Sequence, residues 1–515
     1  MKHYTDLEFL KLSKGQRFGY RVASFFTGIP KGIWNGIKKI GLFFKKVGSA
    51  IGSEVKDIFT TFVQGDWKTK LSFLVMGFGN IARGQILRGL LFLLMEVVFI
   101  GYMVMMGGYY LSMLPSLGKI GPHKAETIIA GRTVYADVPG DNSFKILLYG
   151  VLTIFFIIAF VYTWRVNVKQ NKLAEQILKS GKKLKSGKDD LRSLVDDQFH
   201  KTLLALPTLG IVIFTVMPIV FMILVAFTNY SSINDGYQTN LFHWVGFENF
   251  KTMFSWNVGG VNYAATFGEI LLWTLIWAFF ATFTNYFLGI GVALLINKKG
   301  IHLKKLWRTI LIMTIAIPQF ISLLYVSKMF TLNGLFNGFL LDLGLIKEAI
   351  DFWGDPTLAR IMVIIINIWI GIPYLMLIAT GILMNIPADL YESAKIDGAS
   401  GWKQFTKITL PYMLFITGPY LLTSFTGNMN NFNVIYLLTG GGPTNALRSG
   451  AAGTVGHTDL LITWLFKITQ SGTAADGSQY YLASVIGILV FIVVSVISLI
   501  VYGLLPSVKN EEDFQ

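Results

Sequence analysis

The sequence reads as an all-α polytopic membrane protein that crosses the bilayer about eight times, with both ends on the cytoplasmic side. Three observations predict this. Hydrophobic residues make up 53% of the 515 residues, charged ones only 14%, and the mean hydropathy is +0.56. That composition belongs to a membrane protein rather than to a soluble multidomain one. Eight stretches, near 87–112, 144–164, 203–227, 268–296, 307–330, 358–384, 412–438 and 480–505, reach the roughly 20 apolar residues that a spanning helix needs. The loops between them also differ in charge. Segment 165–201 holds ten Lys/Arg and 297–308 holds five, whereas 228–267 has only Lys251 and 331–357 only Lys347. Basic loops stay inside, which predicts N-in, C-in and an even number of spans.

Composition also excludes chemistry. The net charge of +15 is gathered in loops beside apolar spans, so it reads as a membrane topology signal and not as a nucleic-acid surface. There is no cysteine, so disulfides, thiol catalysis and cysteine-ligated metals are ruled out. The six histidines are scattered, with no pair at ligand spacing. No G-x-x-x-x-G-K-[ST] motif occurs, so an energy source from nucleotide hydrolysis has to be another chain.

In order, residues 1–85 form a basic N-terminal region with no stretch long enough to span. Its 14 Lys/Arg are interleaved with Phe25, Phe26, Ile33, Trp34, Ile37, Ile40, Phe43 and Phe44. Such a segment is either an amphipathic element in the membrane interface or a solvated cytoplasmic tail. It lacks a short apolar run with a small-residue cleavage site, so no removable signal peptide is expected. Residues 86–200 carry the first two spans and a basic cytoplasmic loop, 201–506 a core of six spans, and 507–515 a short cytoplasmic tail. The glycine-rich loop Gly440 to Gln479 is expected outside. Its run Asp459 to Phe466 is too short to span and fits an outward-lying or re-entrant helix.

Charges inside a bilayer are expensive and mark function when present. Here Glu96 is the clear case, read as a packing residue, with Glu269 and Lys328 near span ends. Uncharged polar groups are more plentiful. Asn367, Gly371 and Tyr374 sit at i, i+4 and i+7 of the sixth span, and Asn428, Asn431 and Phe432 at i, i+3 and i+4 of the seventh. Amides in lipid need partners, so these faces look into a pore or at another helix. Amides beside aromatic rings are also what a neutral sugar requires. Residue type alone leaves both readings open.

Between the sixth and seventh apolar runs lies a polar island, Glu392 to Pro411, ESAKIDGASGWKQFTKITLP. It predicts two short helices. Asp389 caps the first, Gly398 stops it, and Pro411 ends the second. Ser393 and Ala394 follow Glu392, Gly398 comes six after Glu392, Ile408 ten after Gly398, and Leu410-Pro411 closes the stretch. This spacing resembles the EAA loop of ABC importer membrane subunits, with Ser393 at one alanine position as the single departure. The resemblance implies a type I ABC importer permease, whose loop docks into a separate ATPase subunit. Glu392, Ser393, Ala394, Gly398, Ile408, Leu410 and Pro411 are then the coupling residues. It also implies that the chain catalyses no reaction and binds no cofactor, ATP and Mg being used by the partner ATPase.

ILVAFTNYSS at 223–232, NIWIGIPY at 367–374, NNFNVIYLLTGGGP at 430–443 and HTDLL at 457–461 resemble the larger membrane subunit of the maltose/maltodextrin importers. The similarity covers most of the chain from about residue 200 onward. It implies a sugar site at Asn367, Ile370, Gly371, Tyr374, Asn428 and Asn431, and malto-oligosaccharide uptake by alternating access. The implied partners are a second related permease, an ATPase pair and an extracellular sugar-binding protein. An aromatic position of that family is Gly427 here, which removes a stacking surface and bears on sugar preference. The loop 228–267 is short where Gram-negative relatives carry a folded domain, so a Gram-positive cell membrane and a lipid-anchored binding protein are expected. The competing readings are an ABC permease for a galacto-oligosaccharide or plant glycan, and a secondary sugar carrier. The carrier reading leaves Glu392 to Pro411 unexplained.

Overall fold

The computed structural model describes residues 45–504, except 130–131, 256–261, 299, 450–453 and 471–476, together with a few isolated residues before 45. The aromatic and aliphatic positions expected at the interface between Phe25 and Phe44 therefore lie outside the described residues. Among the described residues, seven helices are long and apolar enough to cross a membrane: Ile86–Met113, Ser143–Lys179, Phe199–Val225, Tyr263–Asn297, Pro356–Leu383, Gly401–Thr439 and Tyr480–Tyr502. They are numbered here as spans 1, 2, 3, 4, 6, 7 and 8. The apolar helix pair Lys304–Ala316 and Gln319–Met329, bent by 92° at the break between them, is numbered span 5.

The expected continuous helix over 307–330 is thus interrupted, and Pro318 is the reason. Proline has no N–H for the helix ladder and pushes the residue before it out of the helical region. Ile317 is accordingly extended (φ −81°, ψ 125°), and the chain restarts at Gln319. A sequence pattern that counts only apolar residues passes over this break.

The chain divides into two compact units. The first comprises Met1–Tyr109 and Leu152–Gly210. In it spans 1 and 2 meet through stacked Phe99 and Phe160 and the Tyr102–Thr153 hydroxyl pair at 2.9 Å. Glu96 is absorbed here as a packing group: its Oε2 accepts the backbone N–H of Met76 at 2.8 Å.

The second unit comprises Tyr110–Val151 and Ile211–Gln515, and span 4 is its central post. Tyr263 and Ile270 join the outer core around Trp464 and Leu482, Trp273 and Trp277 a middle core with Val363 and Val434, and Tyr286 and Ile290 a third with Met376 and Met413. One helix can serve all three because small residues let its neighbours approach. A side chain at Gly289 would meet the Leu375 side chain at 2.6 Å. The only sheet among the described residues is an antiparallel hairpin, His123–Ile129 with Arg132–Val138, between spans 1 and 2. The run at 459–466 becomes part of a ten-residue helix, Leu461–Gln470, whose Trp464 and Ile468 are buried in the outer core.

Candidate functional site

Two places concentrate the candidate residues. The first lies where the bend of span 5 faces span 6. A crevice of about 340 Å³ is lined by Thr314, Pro318, Gln319, Ser322, Trp369, Ile370 and Tyr374, among others. Of the six expected sugar residues, Ile370 and Tyr374 face it, and the Tyr374 side chain is 51% exposed. Breaking span 5 at Pro318 also brings Gln319 and Ser322 to the wall, so one proline creates both the opening and its polar lining. A larger crevice of about 800 Å³, lined by Phe283, Leu414, Leu421, Phe425 and Ile497, is almost wholly apolar. That lining suits a helix or an acyl chain and gives a sugar hydroxyl few partners.

Of the other four residues, Asn367, Gly371 and Asn428 are engaged with span 4, and Asn431 with Asn428. Asn428 donates from Nδ2 to Thr282 Oγ1 at 3.0 Å, and its carbonyl accepts Trp277 Nε1 at 3.0 Å. Asn431 donates to Asn428 Oδ1 at 3.2 Å and caps the helix Phe432–Thr439 by accepting from the Val434 N–H at 3.3 Å. Asn285 donates to the Asn367 carbonyl at 3.4 Å, while Asn285 Oδ1 and Asn367 Nδ2 are buried with no protein partner. Gly371 lets this amide in: a Cβ there would lie 2.3 Å from Asn285 Nδ2. The structure therefore divides the six into a crevice pair and a set of amides pairing helices. Gly427, by contrast, faces open space, with nothing within 4 Å of an added Cβ.

Gly371→Ala is expected to lower stability by about 1–3 kcal/mol through overpacking against Asn285. The double variant with Asn285→Ala should recover most of that loss in a thermal melt of the purified protein. Equal melting of single and double variants would show that the contact carries no strain.

The second place is the polar island. Its first helix, Ala388–Ile396, begins after Pro387, and no side chain caps it; Asp389 instead lies inside the first turn. Asp389 is thus a dipole partner for the helix N-terminus and not its cap. The helix ends as expected at Gly398, whose φ is +69°. The Gly398 N–H reaches the Lys395 carbonyl at 3.0 Å and the Ala399 N–H the Ala394 carbonyl at 2.8 Å, the two bonds of a Schellman motif. Ser400 then caps the next helix, Gly401–Gln404.

Pro411 does not end that helix. The chain passes through a wide turn, Phe405–Thr409, straight into Leu410–Met429. The wide turn routes the Leu410 N–H back to the Phe405 carbonyl, so the missing N–H and the ring of Pro411 are accommodated one turn on. Tyr391 and Thr409 join hydroxyls at 2.8 Å, and Gln404 Nε2 donates to the Ala399 carbonyl at 2.9 Å, which braces the knob on span 7. The knob presents large apolar side chains among its charges: Ile396 is 87% and Trp402 74% exposed, and Leu390 is exposed too. Glu392, Ser393 and Gly398 are exposed as well, whereas Ala394, Ile408 and Leu410 are partly covered.

At the outer rim, Glu269 accepts from Arg448 at 2.9 Å and from Asn445 at 3.2 Å, tying the loop after span 7 to span 4. Arg360 lies over the Trp273 ring and donates to the His457 carbonyl at 2.8 Å. Burial, and then Arg360, hold His457 below its ordinary value, so it is neutral at neutral pH.

Sequence reasoning missed Thr282, Asn285, Gln319 and Ser322, because each is an ordinary polar residue in an apolar run until the neighbouring helix is placed. The break at Pro318 was the available signal for Gln319 and Ser322. For Trp402 and Ile396 it was large apolar residues within a polar stretch.

The family described as "Binding-protein-dependent transport system inner membrane component" matches residues 285–507. The maltodextrin transport system permease protein MalC of Streptococcus pneumoniae is 31% identical over 454 residues, 86% of this chain and 97% of that protein. The galactooligosaccharides transport system permease protein GanP of Bacillus subtilis is 33% identical over 382 residues, 74% of this chain and 87% of that protein. Among solved structures, a bacterial ABC transporter involved in the import of the acidic polysaccharide alginate aligns with a TM-score of 0.47 and 21% identity, over 61% of this chain and 97% of that one. With these relatives matched over most of its length, and with its broken fifth span and exposed knob, the chain belongs to the inner membrane components of binding-protein-dependent transport systems, as a multi-pass permease subunit.

Proposed function

We propose that the chain is the permease subunit of an ATP-driven importer of malto-oligosaccharides in a Gram-positive cell membrane. The observation that carries the ATP-driven part is the knob at 388–411. An exposed pair, Ile396 and Trp402, is held on a braced turn, as a surface that fits a groove on another protein must be. The partner is a separate ATPase pair that uses ATP and Mg. A second related permease completes the pore, and a lipid-anchored binding protein delivers the sugar from outside. ATP-driven closure of the ATPase pair moves the knob, and with it span 7. This switches access to the site, because the docked element has different contacts in the two states.

The sugar site in this reading is the crevice at the bend of span 5. Tyr374 and Ile370 supply a ring face and an apolar edge, and Gln319 and Ser322 hydrogen bonds. Asn367, Gly371, Asn428 and Asn431 do not line the crevice and hold spans 4, 6 and 7 in place. The maltodextrin cargo rests on the resemblance to maltodextrin permeases. A galacto-oligosaccharide is the second reading, favoured by the 33% identity to GanP.

The test is ATPase activity of the purified complex in lipid, with its binding protein, across a panel of oligosaccharides. Stimulation by maltotriose and longer α-1,4 glucans, and not by β-linked galactosides, is expected. Stimulation by galactosides alone would replace the cargo. Absence of any sugar-stimulated ATPase would overturn the importer reading.

A further inference from the structure

Between residues 45 and 85, in the first unit, burial is inverted. None of this stretch belongs to a helix apolar enough to cross a membrane. Yet a connected group of its polar side chains is inside. Thr69, Ser72 and Asn80 are fully buried, and the Arg83 side chain is 1% exposed. Arg83 pairs with Asp66 at 2.5 Å and also donates to Thr69 at 2.6 Å and Asn171 at 2.9 Å. Glu175 extends the cluster by accepting from the Thr69 hydroxyl at 2.8 Å.

Most of its large apolar side chains are outside, with Met76 the fully buried exception. Phe59 is 66% and Leu74 77% exposed, and Ile51, Val55 and Trp67 are exposed with them. In water this arrangement forfeits hydrophobic burial and desolvates charges at the same time. Against lipid both costs are relieved, since apolar surface then meets acyl chains and polar groups satisfy one another inside.

The stretch is also fastened to helices that cross the membrane. Trp164 Nε1 of span 2 donates to the Phe73 carbonyl at 3.0 Å, and the Gly77 N–H donates to Asn167 at 2.9 Å. The helix over residues 45–64 lies along the cytoplasmic continuation of span 2: Glu54 pairs with Arg165 at 2.5 Å and with Lys169, and Asp57 with Lys172. These pairs occupy one face of the helix and leave Ile51, Val55 and Phe59, spaced by four, on another. Lys45, Lys46 and Lys56 are exposed on the same helix.

We infer that residues 45–82 form a wedge seated in the cytoplasmic leaflet, its apolar outer face against acyl chains and its exposed lysines at anionic headgroups. The wedge does not cross the bilayer. It widens the footprint of spans 1 and 2 on one leaflet, and its polar interior holds it to span 2.

The chain has no cysteine, so single-cysteine variants report cleanly. Phe59→Cys, Leu74→Cys and the control Lys56→Cys are made in the full-length chain, labelled with an environment-sensitive fluorophore and reconstituted in vesicles of phosphatidylglycerol and phosphatidylcholine. Probes at 59 and 74 are expected to be quenched by nitroxide-labelled lipid and to be about tenfold less quenched by aqueous iodide than the probe at 56, as for a face sunk into the acyl boundary. Iodide quenching equal to that at 56 would overturn the inference by showing the face in water. Shielding from iodide without quenching by nitroxide lipid would also overturn it, since a protein segment would then be the cover. Because 59 and 74 lie on the two ends of the wedge and both side chains are exposed, loss of one variant to misfolding leaves the other to decide.

Discussion

Gly398→Pro is expected to abolish coupling between ATP hydrolysis and uptake while the chain still inserts and assembles. Gly398 has φ +69° and gives its N–H to the Lys395 carbonyl. Proline can adopt neither: its ring holds φ near −65°, and it has no donor. Strain and a lost hydrogen bond together cost about 2–4 kcal/mol, a factor of roughly 30 or more in the population of the docking-competent turn. Nothing lies within 4 Å of a Cβ at Gly398, so the damage stays in the backbone of the knob. Glu392→Lys tests the same surface without touching the turn, since Glu392 is exposed and its charge is reversed toward the partner. The measurement is sugar-stimulated ATPase together with uptake in proteoliposomes. If Gly398→Pro imported at the normal rate with normal stimulation, the knob would not be the coupling element.

The second large effect is at the crevice. Tyr374→Ala removes a half-exposed ring from its wall and is expected to weaken sugar binding by about 1–3 kcal/mol. That is a rise in the apparent KM of roughly 5- to 150-fold, with the melting temperature unchanged. Asn431→Ala behaves differently. Its side chain caps the helix Phe432–Thr439 and bonds Asn428, so it is expected to lose about 1 kcal/mol of stability along with uptake. Uptake and thermal melting measured on both variants separate a residue that touches sugar from one that holds the helices in place. Wild-type uptake by Tyr374→Ala at low sugar would remove the crevice from the proposal.

The knob was legible almost residue by residue. Its reading needed only local rules: the spacing of Glu392, Gly398, Ile408 and Pro411, and a glycine at the end of a helix. The exceptions were Asp389, read as a cap and found inside the first turn, and Pro411, read as a stop and found inside a continuous helix because a wide turn absorbed its missing N–H. The candidate sugar residues were legible as a list of residue types but not as a place. Asn367 and Tyr374 share a helix face on paper, yet one meets Asn285 and the other an opening.

By itself, then, the sequence determined the class of protein, the positions of its apolar spans and the glycine turn between spans 6 and 7. These depend on the hydrophobic length needed to span a bilayer, on the side to which basic loops are drawn, and on backbone conformations that only certain residues adopt. Tertiary structure alone decided that span 5 bends by 92° to open a crevice, that span 4 supplies partners for Asn367 and Asn428, and that residues 45–82 bury Thr69, Ser72 and Asn80 while exposing Phe59 and Leu74. Each of those depends on which helix lies beside which. An amide looks the same in the chain whether its partner is a hydroxyl on span 4 or a sugar in the crevice.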